Sequence, residues 1–105
     1  MEHAWRQGDV IVVEVKIPKG AEPIEHDGVL AYGEATGHRH QLVAGPDSRI
    51  RYFRDATQDY FEVVSGFADL RHEGHFDHRF PKGVYSWHRQ READWVNEAT
   101  RNVND

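Results

Sequence analysis

Cysteine is absent from the 105 residues. That removes disulfides, thiolate zinc sites and cysteine nucleophiles, and leaves imidazole and carboxylate as the metal ligands on offer. No apolar run approaches the ~20 residues of a membrane-spanning helix, and the start Met1-Glu2-His3-Ala4-Trp5-Arg6 carries no signal-peptide core. The expectation is a cytoplasmic protein without membrane contact. Positive charge is not in excess: 13 Lys and Arg against 18 Asp and Glu give a net charge of −5, with the two signs interleaved. A nucleic-acid binder needs a basic stripe, so no nucleic-acid partner is expected. A glycine-rich phosphate loop, a dinucleotide fingerprint, a G-x-S-x-G elbow and the helical H-E-x-x-H zinc motif are all missing. His72-Glu73-Gly74-His75 is one residue short of that last motif and reads as a turn.

What the chain does hold is histidine, eight in all and scattered along it. The segment Gly33-Glu34-Ala35-Thr36-Gly37-His38-Arg39-His40 concentrates two of them behind a glutamate. On a strand, Glu34, Thr36, His38 and His40 share one face, because side chains alternate with a period of two. Two imidazoles on one face can grip a metal, with a carboxylate joining them or orienting one of them.

The remaining pattern predicts an all-β fold. Val10 to Ile17 is β-branched, with apolar residues at the odd positions and Glu14 and Lys16 alternating with them. Ala21 to Gly28 reads as a polar connection, Val29 to Val43 as one strand carrying the Glu34/His38/His40 face, and Arg49 to Arg54 with Asp59 to Ser65 as a hairpin. Tyr52, Phe53, Tyr60 and Phe61 in that hairpin read as core. Glu73-Gly74 is a two-residue hairpin loop, which sets His72 opposite His75 with Cβ atoms ~5 Å apart. Carried outward, that register opposes Asp69 to His78 and puts Phe67, Phe76 and Phe80 on the core face. Pro81-Lys82-Gly83 reads as a turn before a last strand from Val84 to Arg91. Turns every eight to twelve residues or so imply a small antiparallel barrel or sandwich, cupin-like, of about eight strands. Residues 1–92 form a single β domain, and 93–105 a polar tail with a short helix around Ala93 to Ala99.

Two resemblances follow from these segments. Gly33, His38-x-His40, then Pro81-x-Gly83 and His88 resemble the two metal motifs of cupins, small double-stranded β-barrels with histidine and glutamate ligands. The glycine stands one residue closer to His38 than in cupins, no glutamate follows His40 at the cupin distance, and His88 lies two residues farther from Gly83. A longer stretch is similar to short bacterial proteins of uncharacterised role with G-E-x-T-G-H-x-H, H-E-x-H, P-x-G-x-Y and R-Q-R-E segments. Here these are Gly33 to His40, His72 to His75, Pro81 to Tyr85 and Arg89 to Glu92.

The functional expectation is a His-rich domain holding a divalent transition metal (zinc, iron, nickel or manganese) through His38, His40, His72 and His75, with His88 and Glu34 as alternates. One alternative is a cupin-type oxygenase or hydrolase acting on a small molecule, with Glu34 or Glu73 moving protons. The other is a metal-free homo-oligomeric assembly module, since a small β domain with a limited core gains from association. His78 and His88 are candidates for an additional ligand or a general base, but a strand histidine next to an aromatic residue such as Trp87 reads first as structural, and Arg89-Gln90-Arg91-Glu92 reads as a charged edge that discourages aggregation.

Overall fold

The computed structural model describes residues 3–32 and 38–90. Among them the chain forms eight strands and no helix: β1 (Ala4–Gln7), β2 (Val10–Glu14), β3 (Glu22–Ile24), β4 (Val29–Tyr32), β5 (Arg39–Ala44), β6 (Arg49–Arg54), β7 (Asp59–His72) and β8 (His75–Arg89). Every pairing is antiparallel, in the order β1-β2-β8-β7-β5-β4, with β6 on β7 and β3 on β6. The sheet curls into a half-barrel because β7 serves two neighbours on one edge. Its first half pairs with β6 and its second half with β5. Among the described residues no helix is long and apolar enough to cross a membrane.

The bend is built where β7 and β8 change register. Val63 pairs with Gly83 but Phe67 pairs with Pro81, so three residues of β7 face one of β8, with Gly66 at φ 72°. Bulges of this kind bend and twist a strand. Pro81-Lys82-Gly83, expected as a turn, instead lies inside the continuous β8. The extra residues of β7 absorb the lost regularity opposite the proline, and Tyr85 donates its hydroxyl to the Pro81 carbonyl at 2.7 Å.

The core lies on the inner face. Phe61, Phe80 and Tyr85 are fully buried and mutually in contact, with ring centroids 5.0–5.5 Å apart, and Trp5 of β1 closes edge-on over Phe80 at 5.0 Å. Phe53, Tyr60 and Phe61 are buried as expected, and Tyr52 packs against the core. Four readings change here. In β2 it is Val10 and Val12, not the odd positions, that join the core cluster, while Ile11 is buried on the other face and the strand ends at Glu14. The segment from Val29 to Val43 is two strands folded back on each other, with Ala31 opposite His40 and Tyr32 opposite Arg39. β3, inside the segment read as a polar connection, pairs with β6, and β1 pairs with β2. Phe76, expected in the core, is 92% exposed at the start of β8. Glu34 and the 93–105 tail lie outside the described residues.

Candidate metal centre

Several strands lining the inner face change from apolar to polar at the same end of the half-barrel. Stepping by two keeps a side chain on one face. On β1 Trp5 is followed by Gln7, on β5 Leu42 is preceded by His40, and on β7 Leu70 is followed by His72. The two-residue loop Gly8-Asp9 and the Glu73-Gly74 loop sit at this end, so both hairpin tips meet the histidines.

His40 is the fixed member. It is 3% exposed, and its Nδ1 lies 2.9 Å from the Gln7 side-chain oxygen. Gln7, itself 1% exposed, donates its amide to two backbone carbonyls, Leu70 and Phe76, each at 2.8 Å. Those two acceptors settle which end of the amide is nitrogen, so Gln7 Oε1 must accept, and His40 must donate from Nδ1–H. The lone pair of His40 is therefore on Nε2. Burial and then the neighbouring His72 push His40 down to about 4, against a raising influence from Asp9, so the ring is neutral.

Around it stand the other imidazoles. His72 stacks on His40 at 4.2 Å, His75 lies 4.7 Å from His72 and 6.0 Å from His40, and His38 meets His72 edge-on at 5.7 Å. His72 pairs with His75 across the hairpin loop, as its two-residue length requires. Burial, followed by His75 and His38, lowers the pKa of His72. The Gly74 amide donates to His72 Nδ1 at 3.0 Å. His38 Nε2 meets the Glu73 carboxylate at 2.7 Å on the exposed rim.

Gly8 makes room for this packing. A Cβ there would stand 2.7 Å from His75 Nε2 and 3.2 Å from His40 Cε1, and the φ of +58° is one that L side chains rarely adopt.

Sequence reasoning named His38, His40, His72 and His75, and the fold gathers all four. It missed Gln7, Gly8 and Asp9, whose signal was the Gly-Asp pair ahead of the Val10 strand, a hairpin loop. Asp9 Oδ1 lies 3.4 Å from His40 Nε2, and Asp9 Oδ2 is ion-paired with Arg89. His88 pairs with Ile11, and its neighbours in β8, Trp87 and Arg89, point to the other face of the sheet. His78 donates Nε2–H to the Arg6 carbonyl at 2.8 Å, a structural bond. Its expected partner Asp69 instead pairs with Arg79, at 2.8 and 3.1 Å, because the register shifts between Leu70 and His72.

A family model described as a domain of unknown function, DUF8820, matches residues 6–90. The chain belongs to this family. The matched span of the DUF8820 domain runs from Arg6 to Gln90 and so takes in every side chain of the cluster. No curated protein and no solved structure matches the chain.

As the side chains stand, no group of three or more histidine or acidic residues among the described residues is arranged to hold a metal ion. The cause is visible in the rings. Stacked imidazoles present faces to one another, whereas a metal needs lone pairs that converge in the ring planes. His72 is half-buried and His75 exposed at a hairpin tip, so both have space to rotate, and His40 does not.

Proposed function

We propose that this domain binds a divalent transition metal through His40, His72 and His75, with His38 at the rim. The observation that carries the reading is the state of His40, a buried neutral imidazole whose Nδ1–H is tied to a doubly anchored glutamine, which leaves the lone pair on Nε2, in a ring that stacks beside His72 and His75. Outer hydrogen bonds of this type orient metal-binding histidines in general. Three imidazoles without thiolate suit zinc, iron, nickel or manganese. For His72 to ligate through Nε2 it must carry its proton on Nδ1, so metal binding would break the Gly74 bond. A cytoplasmic setting goes with this proposal. In its enzymatic variant, a hydrolase or oxygenase, Glu73 would be the proton carrier at the rim.

The test is elemental analysis of untagged protein, with thermal unfolding before and after chelation. The expected result is about one metal equivalent per chain and a lower midpoint once it is removed. His38→Ala combined with His40→Ala should abolish binding, and unchanged stoichiometry in that variant would overturn the assignment.

The second reading, a metal-free homo-oligomer, draws on Phe76, 92% exposed beside a surface groove of about 590 Å³ that His75 and His78 also line. Sizing with and without chelator separates the two, since chelation leaves a metal-free assembly unchanged.

A further inference from the structure

We infer that Asp9 is the carboxylate ligand that closes this metal site, and that Arg89 competes with the metal for it. The inference rests on the histidine reading above and adds a ligand, a coordination number and a competitor to it.

His40 Nε2 and the Asp9 carboxylate stand too far apart for a charge-assisted hydrogen bond. His40 carries its hydrogen on Nδ1, so Nε2 is an acceptor, and the Asp9 carboxylate facing it at 3.4 Å is an acceptor too. Two acceptors brought this close repel unless a cation lies between them. A protonated His40 donating to Asp9 would shorten the contact to about 2.7–2.9 Å, well inside the 3.4 Å observed. The observed spacing has a different match. Nitrogen and oxygen ligands ~2.0–2.2 Å from a tetrahedral zinc stand about 3.3–3.5 Å from each other.

The second oxygen of Asp9 identifies the competitor. Oδ2 is ion-paired with Arg89, and the Gln90 amide donates to the Asp9 carbonyl at 2.6 Å, so the end of β8 clamps the Gly8-Asp9 loop. A metal at His40 must draw on the same carboxylate that Arg89 neutralises. Arg89 is thus a competitor for Asp9 as well as a strand-end anchor. With Asp9 as fourth ligand beside three imidazoles, a tetrahedral ion has no position left for water, which favours a structural centre over a catalytic one.

The experiment titrates cobalt(II), whose visible absorption reports coordination number, into wild type, Asp9→Asn, Arg89→Gln and the charge control Arg71→Gln, with near-UV circular dichroism to check the fold. Wild type is expected to bind about one equivalent with the intense absorption of a tetrahedral ion. Asp9→Asn should bind at least about tenfold more weakly, a loss that an outer-shell partner already causes, with altered absorption. Arg89→Gln should bind several-fold more tightly than both wild type and Arg71→Gln. Cobalt binding by Asp9→Asn with wild-type affinity and spectrum overturns the role of Asp9 and leaves the histidines standing. No binding by wild type sinks both. If Asp9→Asn does not fold, the arginine pair decides, and equal or weaker binding by Arg89→Gln than by Arg71→Gln overturns the inference.

Discussion

Gln7 and His40 lie 33 residues apart and meet through a buried 2.9 Å hydrogen bond. The same glutamine caps the Leu70 and Phe76 carbonyls, so one side chain joins β1, β5 and the β7–β8 hairpin and sets the tautomer of the histidine. Replacing Gln7 with Leu would strand two carbonyls and one imidazole N–H away from water. The expected loss is about 2–4 kcal/mol in urea unfolding. In the folded fraction the nitrogen-15 shifts of His40 should move from a single Nδ1–H tautomer to a mixture; a pure Nδ1–H signal in Gln7→Leu would contradict the role given to Gln7.

Acid should weaken the metal-free protein in a defined window. The pKa of His40 is about 4 in the folded chain against an ordinary 6.5. As pH falls below 6.5, the unfolded chain takes up a proton that the folded chain refuses, so stability drops, and the drop levels off near 4 where both forms are protonated. The loss across that window is on the order of 3 kcal/mol. His72 shifts in the same direction and adds to it. Chelator-treated protein unfolded in urea at a series of pH values measures the slope. A His40→Gln variant should flatten it, and an unchanged slope would remove His40 as the cause.

Gly8→Ala tests whether the β1–β2 loop makes space for the site. The added Cβ meets His75 Nε2 at 2.7 Å on a backbone with φ +58°. Strain in this left-handed region costs about 1–2 kcal/mol, and His75, at an exposed tip, would have to swing away. Weaker metal binding together with lower stability is expected, whereas full affinity in Gly8→Ala would show that His75 is not a ligand.

The Asp69–Arg79 pair should matter less than its two hydrogen bonds suggest. Asp69 is 7% exposed and its pKa is lowered by the bond from Arg79, but the Arg79 side chain is 63% exposed. Solvent screening keeps such a pair within the small range of exposed surface ion pairs. Arg79 also lies 3.8 Å over the Phe67 ring, a contact worth a similar amount. A double-mutant cycle with Asp69→Asn and Arg79→Met isolates the ion pair, and a coupling well above that range would mean the guanidinium is less hydrated than its exposure implies.

The histidine hairpin was legible in the sequence because its register is local. A two-residue loop at Glu73-Gly74 leaves His72 no partner but His75, and the β-branched run from Val10 to Val13 could hardly be anything but a strand. The all-β class followed from the same local signals. Pairings set by distant chain segments were not legible. The fold-back of Val29–Val43 turned one expected histidine face into two strands, and the register shift between Leu70 and His72 gave Asp69 to Arg79 instead of His78. Pro81 read as a turn because the residues that compensate for it are Val64, Ser65 and Gly66 on another strand. The residues that complete the site, Gln7 and Asp9, are polar and unremarkable in sequence, and they gain a role only when the curl of the sheet carries β1 over the end of β7. Composition and local spacing determined that this chain would be a β domain with clustered histidines. Tertiary structure alone decided which histidine is buried, which nitrogen carries its proton and which carboxylate faces it, since each of these depends on contacts between residues dozens of positions apart.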